Sequence, residues 1–199
     1  MVKNQQLKEY KIDSSTFIGG WYISSNTCDE LINYFNNNQE ITRPGYLGKD
    51  NSSVIDKDRK DSIDMTISAN NFEGVLGIYR EELQSVLLKY IEKFPHSDRV
   101  QRYGIVENYN LQKYPIAGGF KAWHCENEGS LECIKRHLVF MTYLNTVEKG
   151  GTAFYHQKIL TPAEKGLTLI WPTYWTHTHK GQISQKQEKY IITGWFNYV

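Results

Sequence analysis

The segment Lys113–Glu126, KYPIAGGFKAWHCE, decides how the rest of the chain is read, because it ends in a histidine and a carboxylate one residue apart. In an extended chain successive side chains point to opposite faces, so His124 and Glu126 share one face and Cys125 takes the other. That face offers an imidazole nitrogen and a carboxylate oxygen. These are two of the three donors in the two-histidine, one-carboxylate set that holds non-haem iron and leaves the opposite positions open. A histidine hydrogen-bonded to a carboxylate on a surface strand has the same spacing, so the pair gains meaning only with a second histidine elsewhere.

That histidine lies in the segment IWPTYWTHTHKGQISQKQEKYIITGWF, which offers two candidates, His177 and His179. Ten residues beyond His179 comes Lys189, opening a run in which Lys189, Ile191, Thr193 and Trp195 share one face. A cation, a hydroxyl and an indole in that order suit a small dicarboxylate: the ammonium pairs with one carboxylate, the hydroxyl bonds to it and the indole forms a wall. An ordinary half-buried strand that begins at a solvated lysine has the same pattern.

Further features fall in order along the chain. Tyr114 stands ten residues before His124, Met141-Thr142-Tyr143-Leu144-Asn145 precedes Gly150-Gly151-Thr152, and Pro162 with Lys165-Gly166 follows. With the final Lys189-Tyr190-Ile191-Ile192-Thr193-Gly194-Trp195, this order resembles the 2-oxoglutarate and Fe(II)-dependent dioxygenases. Within them it is similar to the prolyl 4-hydroxylase-like branch and its small bacteriophage-borne members. The resemblance covers roughly Gly104 to the C-terminus.

The resemblance implies that His124, Glu126 and His179 hold Fe(2+) and that Tyr114, Tyr143, Lys189, Thr193 and Trp195 contact 2-oxoglutarate, with ascorbate as an optional addition. Dioxygen is the implied co-reactant. The implied reaction decarboxylates 2-oxoglutarate oxidatively to succinate and carbon dioxide while a substrate carbon is hydroxylated. A peptidyl proline leads as substrate, and free amino acids or other small molecules stay open. Two departures stand out. Glu126 occupies the place of the family's usual Asp, one methylene longer. The distal histidine is doubled, and the ten-residue interval to Lys189 favours His179, leaving His177 as the alternative ligand or a supporting group.

A chain of 199 residues with a formal charge of +1 is one domain's worth and has no broad field for a polyanion. The resemblance also argues against a nucleic-acid partner, since a nucleic-acid demethylase of the superfamily places two arginines after the distal histidine and the last arginine here is Arg136. Three cysteines, Cys28, Cys125 and Cys133, form no disulfide or zinc pattern and fit a reducing compartment. The N-terminus lacks a signal peptide's apolar core and no apolar run approaches spanning length, so a cytoplasmic protein without a membrane partner is expected. Oligomeric state is not legible. A non-catalytic jelly-roll binding or structural domain, in which His124 and Glu126 merely pair, is the rival reading.

Read in order, residues 1–24 suggest a strand with turns around Tyr10–Ile12 and Gly19-Gly20. Thr27 with Glu30 suggests a capping box before the stripe Cys28, Leu31, Ile32, Phe35. Residues 39–60 read as a long polar loop carrying Tyr46 as a lid, ending in a solvated charge run, Arg59-Lys60-Asp61. Phe72 to Phe94 keep helical spacing until Pro95.

Strands are then expected at Gly104–Tyr114, Ala122–Glu126, Arg136–Leu144, Thr152–Tyr155, Gln157–Leu160, Leu167–Trp171 and Lys189–Tyr198, with turns at Glu148–Gly151 and Glu164–Gly166. Cys125 is expected in the core. The expected architecture is mostly β with flanking helices, a double-stranded β-helix (jelly roll) core supported by two N-terminal helices. It forms a single domain, 1–199, with helical support over about 1–100 and the catalytic core over about 101–199.

Overall fold

The computed structural model describes residues 7–49 and 52–199. Its strands in chain order are β1 (Gly19–Tyr22), β2 (Thr42–Pro44), β3 (Leu47–Lys49), β4 (Ser52–Val54), β5 (Lys60–Asp61), β6 (Ile63–Ile67), β7 (Tyr103–Gly104) and β8 (Tyr109–Tyr114). They continue as β9 (Gly119–Phe120), β10 (Arg136–Tyr143), β11 (Val147–Phe154), β12 (Ile159–Ala163), β13 (Leu167–Pro172), β14 (His179–Gly181) and β15 (Lys189–Tyr198). The main sheet runs β1-β13-β10-β15-β8-β6-β2, with β7 also on β15, and a smaller sheet runs β12-β11-β14. The two form the expected jelly roll, and helices α1 (Ser25–Asn37) and α2 (Gly74–Lys93) support it.

Side-chain parity divides the core. On β10 and β15 the residues Leu138, Phe140, Ile192 and Phe196 face the helices, where they pack with Leu31 and Phe35 of α1 and Leu76, Leu83 and Tyr90 of α2. The alternate residues Val139, Met141, Tyr143 and Ile191 face the space between the sheets, with Leu169 and Trp171 of the neighbouring β13 beside them and Phe154 of β11 opposite. One strand thus serves two interiors. Gly194 sits where the helix-side layer is tightest, since a Cβ there would come within 2.5 Å of Tyr109 and 2.6 Å of Phe140.

Several sequence expectations shift. In the N-terminal segment the strand is Gly19–Tyr22, while Tyr10–Ile12 lies outside any strand and only Glu9 bridges to Trp21; residues 1–6 fall outside the described part. Helix α1 starts one turn before Thr27: Ser24 is its cap, accepting the Asn26 N–H at 3.2 Å, and Thr27 is buried inside the helix. Helix α2 begins at Gly74, whose φ of +54° suits glycine, so Phe72 precedes it and stays 59% exposed beneath the Arg80 guanidinium. Pro95 does follow its end, as expected.

The polar stretch 39–60 is not an irregular loop. It supplies the edge strand β2 and the hairpin β3–β4, with Tyr46 exposed between them; Asp50 and Asn51 lie outside the described residues. Its end is not a solvated charge run either, because Lys60 is buried and bonds Asp64 at 2.6 Å. Glu148–Gly151 is no turn but a bulge inside the long strand β11, with Lys149 at φ 55°. The expected strand at Gln157 is displaced to Ile159–Ala163, where Pro162 is tolerated because β12 is a sheet edge. Gly104–Tyr114 is split into β7 and β8. Among the described residues no helix is long and apolar enough to cross a membrane.

Candidate metal centre

The expected strand at Ala122–Glu126 is an isolated bridge, since pairing there is confined to His124 and His179. The two residues exchange both backbone hydrogen bonds, at 3.0 and 2.8 Å. The chain then turns, because the N–H groups of Glu126 and Asn127 both bond the Thr173 carbonyl at 3.0 Å. That turn leaves Cys125 half-buried, its thiol on the Asn127 carbonyl, rather than in the core. Burial raises its pKa.

The bridge sets the two imidazoles side by side, with ring centroids 4.3 Å apart. Glu126 Oε1 faces both, 3.4 Å from His124 Nε2 and 3.5 Å from His179 Nε2. One ligand atom from each of the three residues lies within 4.8 Å of the others. Each ring's Nδ1 faces a backbone carbonyl, Ala122 at 3.0 Å for His124 and His177 at 2.9 Å for His179. A carbonyl only accepts, so the ring proton of a neutral imidazole belongs on Nδ1 and the Nε2 lone pair points inward. Burial lowers the pKa of His179 and keeps it neutral, with the charge repulsion of His124 adding to it. Burial opposes the charge on Glu126, but the two imidazoles, when protonated, outweigh it and hold the carboxyl well below its usual range. Two lone pairs and a carboxylate oxygen converging without a proton between them form a site for a divalent cation, and the donor set fits iron.

Aromatic rings hold the imidazoles in place. Phe120 stacks on His124 at 3.6 Å, while Trp171 and Phe154 meet the His179 ring at 5.1 and 5.7 Å. His177 is absent from the cluster: its Nε2 bonds the Thr16 carbonyl at 2.9 Å and its Nδ1 meets Thr176 Oγ1 at 3.0 Å. It ties the turn before β1 to the segment that carries His179.

The cavity beside the cluster is lined by Tyr114, Tyr143, Lys189 and Thr193. Lys189 is 6% exposed, and its Nζ donates to the carbonyls of Gly150 at 2.8 Å and Gln182 at 3.3 Å, above the Tyr114 ring at 5.1 Å. No carboxylate pairs with it among the described residues, and burial lowers its pKa to about 8. A buried ammonium with only carbonyl and ring partners fits an anionic group entering the cavity, as a 2-oxo dicarboxylic acid would.

The other expected contacts are partly committed. Tyr114 donates to Gln112 Oε1 at 2.8 Å, Tyr143 shares a 2.6 Å bond with Thr152, and Thr193 donates to the Phe140 carbonyl at 3.0 Å. Burial pushes the Tyr143 phenol up to about 12. Trp195 turns its N–H to Glu126 Oε2 at 2.9 Å and does not line the cavity wall with Lys189. Sequence reasoning missed Gln112 and Arg136. Gln112 stands two residues before Tyr114 on the same face of β8, and that parity was the available signal.

Residues 109–197 match the sequence model of the 2OG-Fe(II) oxygenase superfamily. The matched segment carries the candidate metal ligands and Lys189. The oxygenase fold extends beyond the matched residues in three solved structures. A viral collagen prolyl hydroxylase from Paramecium Bursaria Chlorella virus-1, in a 2OG complex, superposes with a TM-score of 0.67 at 18% identity over 95% of this chain and 100% of that one. A Pseudomonas putida prolyl-4-hydroxylase gives 0.68 at 11% identity over 94% and 95%. A Trichoplax adhaerens prolyl hydroxylase, in complex with a hypoxia inducible factor oxygen degradation domain peptide fragment, gives 0.70 at 16% identity over 92% and 84%. No curated protein matches the sequence. The cofactor and co-substrate that this match implies are Fe(II) and 2-oxoglutarate.

Proposed function

We propose that this oxygenase hydroxylates a peptidyl proline, with His124, Glu126 and His179 as the iron ligands and Lys189 as the anchor of the 2-oxoglutarate carboxylate far from the metal. The observation that carries this reading is that one cavity holds both the three inward-facing donors and the buried, anion-less Lys189. With Fe(II) and 2-oxoglutarate bound, dioxygen would be the oxidant: one of its oxygen atoms would end in succinate as the oxo acid loses carbon dioxide, and the other in the new hydroxyl group of a substrate carbon. The protein's own part is to bind, orient and exclude water. Lys189 fixes one end of the co-substrate, and Met141, Ile191 and Trp171 give it apolar walls. Tyr114 and Tyr143 pack beside it, held by Gln112 and Thr152. The whole chain acts as one domain in this reading, its N-terminal part buttressing the catalytic β core.

A peptide is favoured over a free amino acid by the surface next to His124. Trp123 (41% exposed) meets Tyr155 edge-on, Tyr155 meets His156, and His156 meets Trp175, which is 65% exposed. Such a row of open aromatic faces suits an extended, proline-containing chain. The peptide held by the Trichoplax relative is consistent with this reading. The test is aerobic turnover of the iron-loaded protein with 2-oxoglutarate and a panel of proline peptides and free amino acids, read by succinate formation and a product mass gain of one oxygen. Hydroxylated peptide is expected. Oxidation of a free amino acid alone would overturn the substrate assignment, and no succinate with any substrate would overturn the activity.

A further inference from the structure

Glu126 stands where the superfamily's usual ligand is Asp, and its extra carbon–carbon bond, about 1.5 Å long, has to be accommodated. We propose that Trp195 and Arg136 form a frame that fixes this longer carboxylate, so that Oε1 alone is presented to the two imidazoles. Both are positioning residues, and the inference rests on the assignment of Glu126 as a metal ligand.

The two oxygens of Glu126 have separate partners. Oε1 faces the histidine nitrogens at 3.4 and 3.5 Å, while Oε2 accepts the Trp195 Nε1–H at 2.9 Å. An indole N–H is a donor only, so in this position it has one use. Behind the indole, the Arg136 guanidinium lies on its face, 3.5 Å from the ring centroid. The same guanidinium donates from Nη1 to the Glu126 backbone carbonyl at 3.0 Å and sits 3.9 Å from Oε2. The residue is therefore gripped at its backbone and at one carboxylate oxygen.

Arg136 is itself fixed. Glu107 takes its Nε at 3.0 Å and its Nη2 at 2.5 Å, and Asn197 Nδ2 bonds the same carboxylate at 3.0 Å. This two-pronged pair balances the arginine's charge, which leaves the charge of Glu126 available to a cation. The backbone supports the geometry. A register shift between Arg136 and Leu138 interrupts the β10–β15 ladder, and a bulge of this kind re-aims a side chain. The Thr173 hydroxyl then joins the parts, donating to the Arg136 carbonyl at 2.7 Å while the Thr173 carbonyl accepts the Glu126 N–H. A carboxylate one methylene shorter on this backbone is expected to lose either the Trp195 N–H or the histidines.

The test is titration of the metal-free protein with Co(II) alone, followed by visible absorption, with thermal unfolding of each metal-free variant alongside. Trp195→Phe keeps an aromatic ring under Arg136 and removes only the N–H; Co(II) affinity is expected to fall about 10–100-fold, with the unfolding midpoint of the metal-free protein unchanged. Equal affinity overturns the frame, and so does a loss matched by a lowered midpoint, which marks a structural role. Arg136→Lys, unable to lie flat on the indole and fork Glu107 at once, is expected to weaken Co(II) as well; unchanged affinity removes Arg136 from the frame.

In the Glu126→Asp background the effect of Trp195→Phe is expected to shrink, because Asp no longer reaches the indole. An equal fold loss in both backgrounds overturns the proposal. Complete failure of Glu126→Asp to bind supports it, since the metal then depends on the longer reach. Failure of the wild-type protein to bind Co(II) would instead sink the assignment of the metal ligands.

Discussion

At the scale of single residues, the doubled histidine shows what spacing can decide. His177 and His179 stand two residues apart, and the interval to Lys189, with the Lys180-Gly181 that follows His179, separated them in sequence. In the structure the separation is physical, because His177 spends both ring nitrogens on Thr16 and Thr176 while His179 keeps Nε2 free. His179→Ala is therefore expected to abolish Co(II) binding, whereas His177→Ala retains it; a metal-loaded His179→Ala protein would refute the assignment. Trp195 was legible as a residue of the site face but not as a partner of Glu126, since a strand's parity gives the face and not the atom met across it.

Lys189 makes a second prediction at this scale, from the cost of a lone buried charge. Its folded pKa of about 8 lies below the ordinary 10.5, so between these values the unfolded chain carries a proton that the folded protein has lost. Unfolding free energy then rises with pH across that window, by linkage. Urea unfolding of the metal-free wild type against Lys189→Met at pH 7.5 and pH 10 measures it, and the wild type should gain relative to the variant at the higher pH. Binding of 2-oxoglutarate runs the other way, because the carboxylate needs the ammonium: affinity should fall as pH rises through about 8. Lys189→Ala should lose about 2–5 kcal/mol of 2-oxoglutarate binding while keeping the metal. Equal affinity in wild type and Lys189→Ala would refute the anchor.

At the scale of elements, the strands carrying the chemistry were legible because their pattern is strong. Lys189–Tyr198 and Arg136–Leu144 were expected almost at their observed limits, since alternating large apolar residues serve two different interiors. The 39–60 stretch was not, because its short strands carry few apolar residues and form only by pairing with distant β6 or with each other. Lys60 is the sharpest case. A lysine between Arg59 and Asp61 reads as solvated, yet strand pairing with β9 buries it against Asp64, which also accepts from Ser62 at 2.7 Å and Gln112 at 3.0 Å. Removing one member of a buried pair strands the other, so Lys60→Ala should destabilise the fold by about 3 kcal/mol. Denaturant unfolding at neutral pH checks this, and a loss under about 1 kcal/mol, the range of exposed pairs, would show that Ser62 and Gln112 suffice for Asp64.

At the scale of the whole molecule, the candidate centre sits where distant parts of the chain meet. His124 follows β9, which pairs with β5; His179 opens β14 of the smaller sheet; and Glu126 is tied to the main sheet through Trp195 of β15. Among the described residues the segment 121–127 touches this junction through one bridge and a few single hydrogen bonds, not a continuous ladder. A metal ion bound there joins three elements, and binding only the folded state stabilises it by mass action. At a free metal concentration of about 100 times Kd that contribution is about 2.7 kcal/mol, which for a domain of this size corresponds to about 5–10 °C in Tm. Chelator should lower the midpoint of the metal-loaded protein by that amount, and hydrogen exchange should quicken first in 121–127 and 177–181 rather than in α1 or α2. His124→Ala should show no chelator-dependent shift at all. Uniform loss of protection across the helices, or a chelator effect that survives in His124→Ala, would place the metal elsewhere and leave the His124–His179 bridge as a structural contact alone.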